Sequence, residues 1–235
     1  MFAQLGILEM FQQTRPSTDG LVVRMPHSDQ VIVATPTPPM PGTGRPGNAA
    51  IMRPSLAGNL AKTTRAAGVA VKLGCSFERL DEDESGVTVS FTDGSTGRND
   101  AVIGTDGLFS KTRARLMPDA PIPAYVGQAV WRAELPTPEG VETLNMWLGR
   151  GLKAGINPII EGRSCMFVTE DRPSNDWVVD AELPPQPWHV GRVMLIGDAV
   201  HATTPHLGAW ACIGMVDGLV IAEELLRAGT VTEPV

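Results

Sequence analysis

Apolar residues recur with two periods, and the switches between them divide the chain into elements. Leu5, Leu8, Met10 and Phe11 stand at roughly helical spacing and predict a short helix over Phe2–Gln13, ending before Arg15-Pro16. Leu21–Arg24 and Gln30–Ala34 read as strands flanking the polar turn Pro26–Asp29. Thr35–Asn48, with five prolines and three glycines, reads as a loop. Pro54–Ala67 predicts a helix in which Leu56, Leu60 and Thr64 recur every four residues, with Ser55 as its cap and Gly68 as its stop. Val69–Leu73, Phe77–Leu80 and Val87–Phe91 read as short strands, punctuated by an acidic turn at Asp81–Glu84 and a tight turn at Asp93-Gly94.

Asp100–Ile103 reads as a buried parallel strand running into Gly104-Thr105-Asp106-Gly107. Val126–Ala133, Thr143–Leu148 and Cys165–Val168 predict an antiparallel sheet. Val193–Ile196 is a second buried strand, followed by Gly197-Asp198. A helix over Ile213–Arg227, stopped by Gly229, closes the pattern.

The chain has 235 residues, enough for one large or two small domains that bury about 70% of the unfolded surface. Hydrophobic residues make up 43% and the net charge is -7, which excludes a disordered acidic tail. With 19 basic against 26 acidic residues there is no basic field for nucleic acid. No apolar run reaches the length of a membrane helix, and the first residues do not read as a signal peptide. Cys75, Cys165 and Cys212 are odd in number and widely spaced, which points to free thiols in a reducing cytoplasm. The 25 glycines and 20 prolines indicate a loop-rich fold.

Chemistry concentrates where a buried strand meets a glycine turn and one carboxylate. Gly191–His201 runs through the strand to Gly197-Asp198-Ala199-Val200-His201, and Ala202–Ala209 continues through Pro205 and Gly208. A carboxylate at a strand end can accept hydrogen bonds from sugar-like hydroxyls. A lone Asp in such a place is more often a turn or cap residue. His201 and His206 are five apart with no third ligand nearby, so no metal site is expected.

This stretch resembles the Gly-Asp motif of the FAD-dependent aromatic hydroxylases, the para-hydroxybenzoate and salicylate hydroxylase class. Gly104-Thr105-Asp106-Gly107-Leu108-Phe109-Ser110-Lys111-Thr112-Arg113 is similar to the family's Asp-Gly motif, with Thr105 replacing its alanine. Ile51-Met52-Arg53-Pro54 is similar to a helix start that carries an arginine near the flavin. Trp131-Arg132 and Lys153–Gly155 resemble strands of its substrate domain.

The resemblance implies an α/β fold: a glutathione-reductase-like FAD/NAD(P)-binding domain with an inserted β-rich substrate domain. The cofactor-domain pieces would be 1–21, 43–118 and 188–235, and the substrate-domain pieces 22–42 and 119–187. It implies FAD as cofactor and NAD(P)H as cosubstrate, with O₂ and a small aromatic compound as substrates. The implied cofactor contacts are Arg53, Asp106, Gly107, Gly197, Asp198, Pro205, Gly208 and Ala209; no catalytic residue is assigned.

The chain also departs from the family. The family's N-terminal βαβ unit, with its GxGxxG turn, is expected to be missing, as is an internal helical segment near Arg172–Trp177. Gly208-Ala209-Trp210-Ala211-Cys212 replaces a glycine-alanine run, putting an indole where the backbone approaches the flavin. A truncated remnant, or a fragment complemented by a separate N-terminal piece, is therefore the alternative to a self-sufficient enzyme. A homo-oligomer also stays open. Trp131, Trp147 and Trp177 read as sheet-packing residues more than as substrate stackers.

Overall fold

The structure, a computed structural model, describes residues 2–13, 20–39, 41–42, 47, 50–159, 162–171, 183–202 and 210–229. In chain order the elements are α1 (Leu8–Gln13), β1 (Leu21–Arg24), β2 (Val31–Thr35), α2 (Arg53–Ala66), β3 (Phe77–Asp83), β4 (Gly86–Phe91), β5 (Thr96–Asn99) and β6 (Val102–Gly104). There follow α3 (Lys111–Leu116), β7 (Gln128–Pro136), β8 (Leu144–Gly149), β9 (Leu152–Pro158), β10 (Arg163–Asp171), β11 (His189–Val190), β12 (Val193–Leu195), α4 (Asp198–His201) and α5 (Trp210–Ala228). They fall into two compact units, one of residues 2–70 and 127–174, the other of 71–126 and 175–235.

The first unit is built on a six-stranded sheet in the order β2-β1-β8-β9-β10-β7. The expected antiparallel sheet is present: β8, β9 and β10 form a meander and β7 adds to the far edge of β10, while β1 runs parallel to β8. Arg24 tightens that parallel junction by donating from Nε to Asn145 Oδ1 at 2.8 Å. Gly155 lies directly opposite Phe167, and the ring covers the glycine so closely that a Cβ there would meet it at 2.2 Å.

The second unit packs the β3-β4-β5 meander and the β11-β12-β6 sheet around one core. Leu80, Val87, Val89 and Val193 form its centre, with Phe77, Phe91, Val102 and Leu116 against them. Leu195, Ala199 and Val200 form a smaller cluster under Met117 and Trp188. β6 and β12 are parallel, with Gly104 level with Leu195.

Several expectations need correction. The first helix covers only Leu8–Gln13, with turns ahead of it. The second begins at Arg53 with Met52 as its cap, since Pro54 fits the first turn, so Ser55 lies inside. Val69–Leu73 forms no strand, and Leu73 is 82% exposed. An alternating apolar run makes a strand only where a neighbour supplies ladder partners. The acidic run is mostly strand: β3 continues to Asp83, and only Glu84 and Ser85 turn. Ile103 is 41% exposed because β6 ends its sheet among the described residues, so this strand is an edge instead of a buried centre. Trp131 is 46% exposed, and its Nε1 donates to Glu170 Oε1 at 3.2 Å.

Candidate functional site

Parallel pairing of β6 with β12 brings two glycine turns out side by side at the carboxyl ends of neighbouring strands. In open α/β sheets this is where ligands bind. Ile196 N donates to Gly104 O at 3.1 Å, so the ladder continues into the first turn residues. Asp106 and Gly107 leave one strand, Gly197 and Asp198 the other. Gly104 is required at this junction: a Cβ would stand 2.7 Å from Thr112 Cγ2 and 2.9 Å from Leu195 Cδ2.

The Asp106 turn is self-contained. Ser110 Oγ donates to Asp106 Oδ1 at 2.5 Å, while Thr112 N and Oγ1 donate to Oδ2 at 2.9 and 3.0 Å. Burial raises the Asp106 carboxyl pKa, but these three bonds outweigh it and hold the group below its ordinary value. Ser110 also caps α3, accepting from Arg113 N at 2.8 Å.

Arg113 is 5% exposed and ties the two turns together. Nη1 donates to Ala199 O at 2.7 Å and Nη2 to Leu108 O at 2.6 Å. Burial draws the guanidinium below its ordinary pKa, and the Asp106 charge opposes this.

The second turn is built differently. Gly197 sits at φ 61 and ψ -144, a conformation open essentially to glycine alone. Its N–H donates to Asp217 Oδ2 on α5 at 2.9 Å. Asp198 follows at the start of α4, exposed, and its carboxylate has no partner among the described residues. The same Asp217 oxygen stands 2.7 Å from His201 Nε2.

The structure thus gathers Asp106, Gly107, Gly197 and Asp198 at one end of a parallel strand pair. Arg53 opens α2 in the other unit. Pro205, Gly208 and Ala209 lie outside the described residues. Two residues were not foreseen as parts of the site. Arg113 lay within a quoted motif, but its bond to Ala199 needs the strand pairing to be seen. Asp217 was visible only as the first charged residue of the closing helix.

The absence of GxGxxG also needs correction, since Gly42-Thr43-Gly44-Arg45-Pro46-Gly47 has that spacing. It follows a proline-rich stretch, and among the described residues the next helix opens at Arg53, so no described strand-turn-helix setting gives the spacing its meaning. Among the described residues, no cluster of three acidic, histidine or cysteine side chains could hold a metal. No described helix is long and apolar enough to cross a membrane.

No protein-family model matches the chain. Among curated proteins, it is 29% identical over 188 residues to an aurachin C monooxygenase/isomerase of Stigmatella aurantiaca, covering 64% of this chain and 49% of that protein. It is 30% identical over 190 residues to an FAD-dependent urate hydroxylase of Klebsiella pneumoniae, covering 64% and 50%. The chain is a homologue of the FAD-dependent monooxygenases. It spans about half the length of the curated relatives it matches. Among solved structures, a variant of HpxO from Klebsiella pneumoniae complexed with FAD superposes with a TM-score of 0.81 at 23% identity, covering 93% of this chain and 67% of that one. The chain therefore shares the mixed α/β fold of that structure over most of its own length.

Proposed function

We propose that this chain is the flavin-binding and sheet portion of a monooxygenase that hydroxylates a small aromatic substrate with NAD(P)H and O₂. The observation that carries the reading is the Asp198 carboxylate. It stands exposed at the end of a parallel strand, without a partner among the described residues, on a turn fixed by Gly197. A carboxylate so placed fits the hydroxyl-bearing chain of a flavin, accepting hydrogen bonds from it. Asp106 has its lone pairs largely taken by Ser110 and Thr112, so its role is to shape the neighbouring turn. Arg113 holds that turn against Ala199. When bound, the flavin supplies the oxygen-transfer chemistry, and the protein supplies binding, orientation and exclusion of water.

The test is to mix the purified chain with FAD, remove the excess and record the visible spectrum. A retained, shifted flavin band is expected, and it should be lost in Asp198→Ala with circular dichroism unchanged. No retained band overturns the reading for this chain alone.

One observation favours the alternative of a fragment that needs a complementing piece. Beside the open edge of β6 runs a groove of about 410 Å³, lined by Phe77, Phe91, Val102, Ile103 and Gly104. An edge strand presents a row of unpaired N–H and C=O groups, so such an edge suits a further strand. Under this reading the chain holds FAD only when that strand is supplied.

A further inference from the structure

We propose that Asp217 is the positioning residue of the flavin turn, with His201 as its partner; this rests on the assignment of the Gly197-Asp198 turn to the cofactor. Asp217 lies on α5, outside both strands. It acts on the turn from α5, through one oxygen that is 2.9 Å from Gly197 N and 2.7 Å from His201 Nε2. A carboxylate can only accept, so the imidazole carries its hydrogen on Nε2 and donates it there. His201 ends α4 and Gly197 precedes it, so the two donors bracket the segment that carries Asp198.

The helix also meets the turn without any side chain between them. Gly214 lies on the same face of α5, three residues before Asp217. A Cβ added at Gly214 would stand 3.4 Å from Gly197 Cα, and one added at Gly197 3.7 Å from Gly214 Cα. α5 thus presses backbone on backbone at Gly214 and hydrogen-bonds at Asp217. Both anchors act on a residue whose φ and ψ suit glycine alone.

The Asp198 side chain is then aimed by a turn it does not hold itself. Its own carboxylate has no partner among the described residues, while a second carboxylate, partly buried, meets the local backbone demand. If the Asp217 contacts are removed, Gly197 N–H and His201 lose their acceptor, and the turn keeps its bonds at the Gly197 carbonyl and from Arg113 to Ala199 O but loses its tie to α5 through Asp217.

The experiment uses the full chain and its Asp217→Leu and Asp217→Asn variants, with two readouts. The first is backbone amide exchange and the ¹⁵N shifts of His201 without any flavin. Gly197 should be protected and His201 should carry its proton on Nε2 in the wild type. Both signatures should be lost in Asp217→Leu, while the β4 amides stay protected. The second readout is FAD affinity by flavin fluorescence, under conditions where circular dichroism shows every variant folded. Asp217→Leu should weaken binding at least tenfold. Asp217→Asn, which keeps an acceptor oxygen, should stay within threefold of wild type.

Unchanged Gly197 protection in Asp217→Leu, or unchanged FAD affinity, overturns the proposal. If the wild type holds no FAD, the functional reading fails by itself. The exchange arm then still decides whether Asp217 fixes the turn.

Discussion

Replacing Arg113 with methionine tests whether the two turns are held together by one buried cation. Methionine keeps most of the stem volume but removes both donors. Two hydrogen bonds are lost, at 2.7 Å to Ala199 O and 2.6 Å to Leu108 O. Bonds from a charged donor contribute about 1.5–3 kcal/mol each. Relief of guanidinium desolvation offsets part of that sum, and two carbonyls are left without a partner. A net destabilisation of about 3 kcal/mol is expected. With a urea slope of about 2 kcal/mol per molar, the midpoint should fall by about 1.5 M. Arg113→Lys keeps the charge but not the fork, so it should fall by roughly half as much. The assay is urea unfolding followed by far-ultraviolet circular dichroism. A shift below about 0.3 M for Arg113→Met would show that neither bond holds the turns.

Other substitutions test separate parts of the structure. Asp106 is held below its ordinary pKa in the fold, so its stabilising contribution is present above the unfolded value, about 3.9, and lost as pH falls through the folded one. The stability difference between wild type and Asp106→Asn should be constant from about pH 7 to 5 and shrink below about 4. A difference that persists at low pH would sink that account. Gly155→Ala should cost about 1–3 kcal/mol by overpacking against Phe167, and Phe167→Leu in the same chain should recover much of it; a neutral Gly155→Ala would refute the contact.

What the sequence revealed and what it hid follow from the range of each interaction. β7, β8 and β10 were legible as strands of an antiparallel sheet because alternation and turns are local, but the pairing of β7 with β10 skips two strands and no local period records it. The two strand-turn junctions were legible because glycine, carboxylate and apolar run are contiguous. The partners that complete them were not. Arg113 reaches Ala199 across 86 residues, and Asp217 reaches Gly197 across 20. No local period records either link. Val69–Leu73 failed for a related reason, since β alternation describes what a strand would bury but not whether a neighbour exists. The parallel junction of β1 with β8 likewise depends on two segments that carry no shared local signal.

That last pairing has a kinetic consequence. Arg24 meets Asn145 across 121 residues, whereas β8, β9 and β10 follow one another directly. Closing a loop of that length costs about 4 kcal/mol of chain entropy before any contact repays it. The meander should therefore form first and act as the template onto which the β1–β2 hairpin docks. During refolding, pulse-labelled amides of β9 and β10 should be protected before those of β1. On a ribosome the hairpin, made early, must wait until residue 149 has emerged, leaving Val23, buried in the finished sheet, uncovered meanwhile. The most aggregation-prone moment of this chain thus falls in synthesis, while β1 lacks its parallel partner.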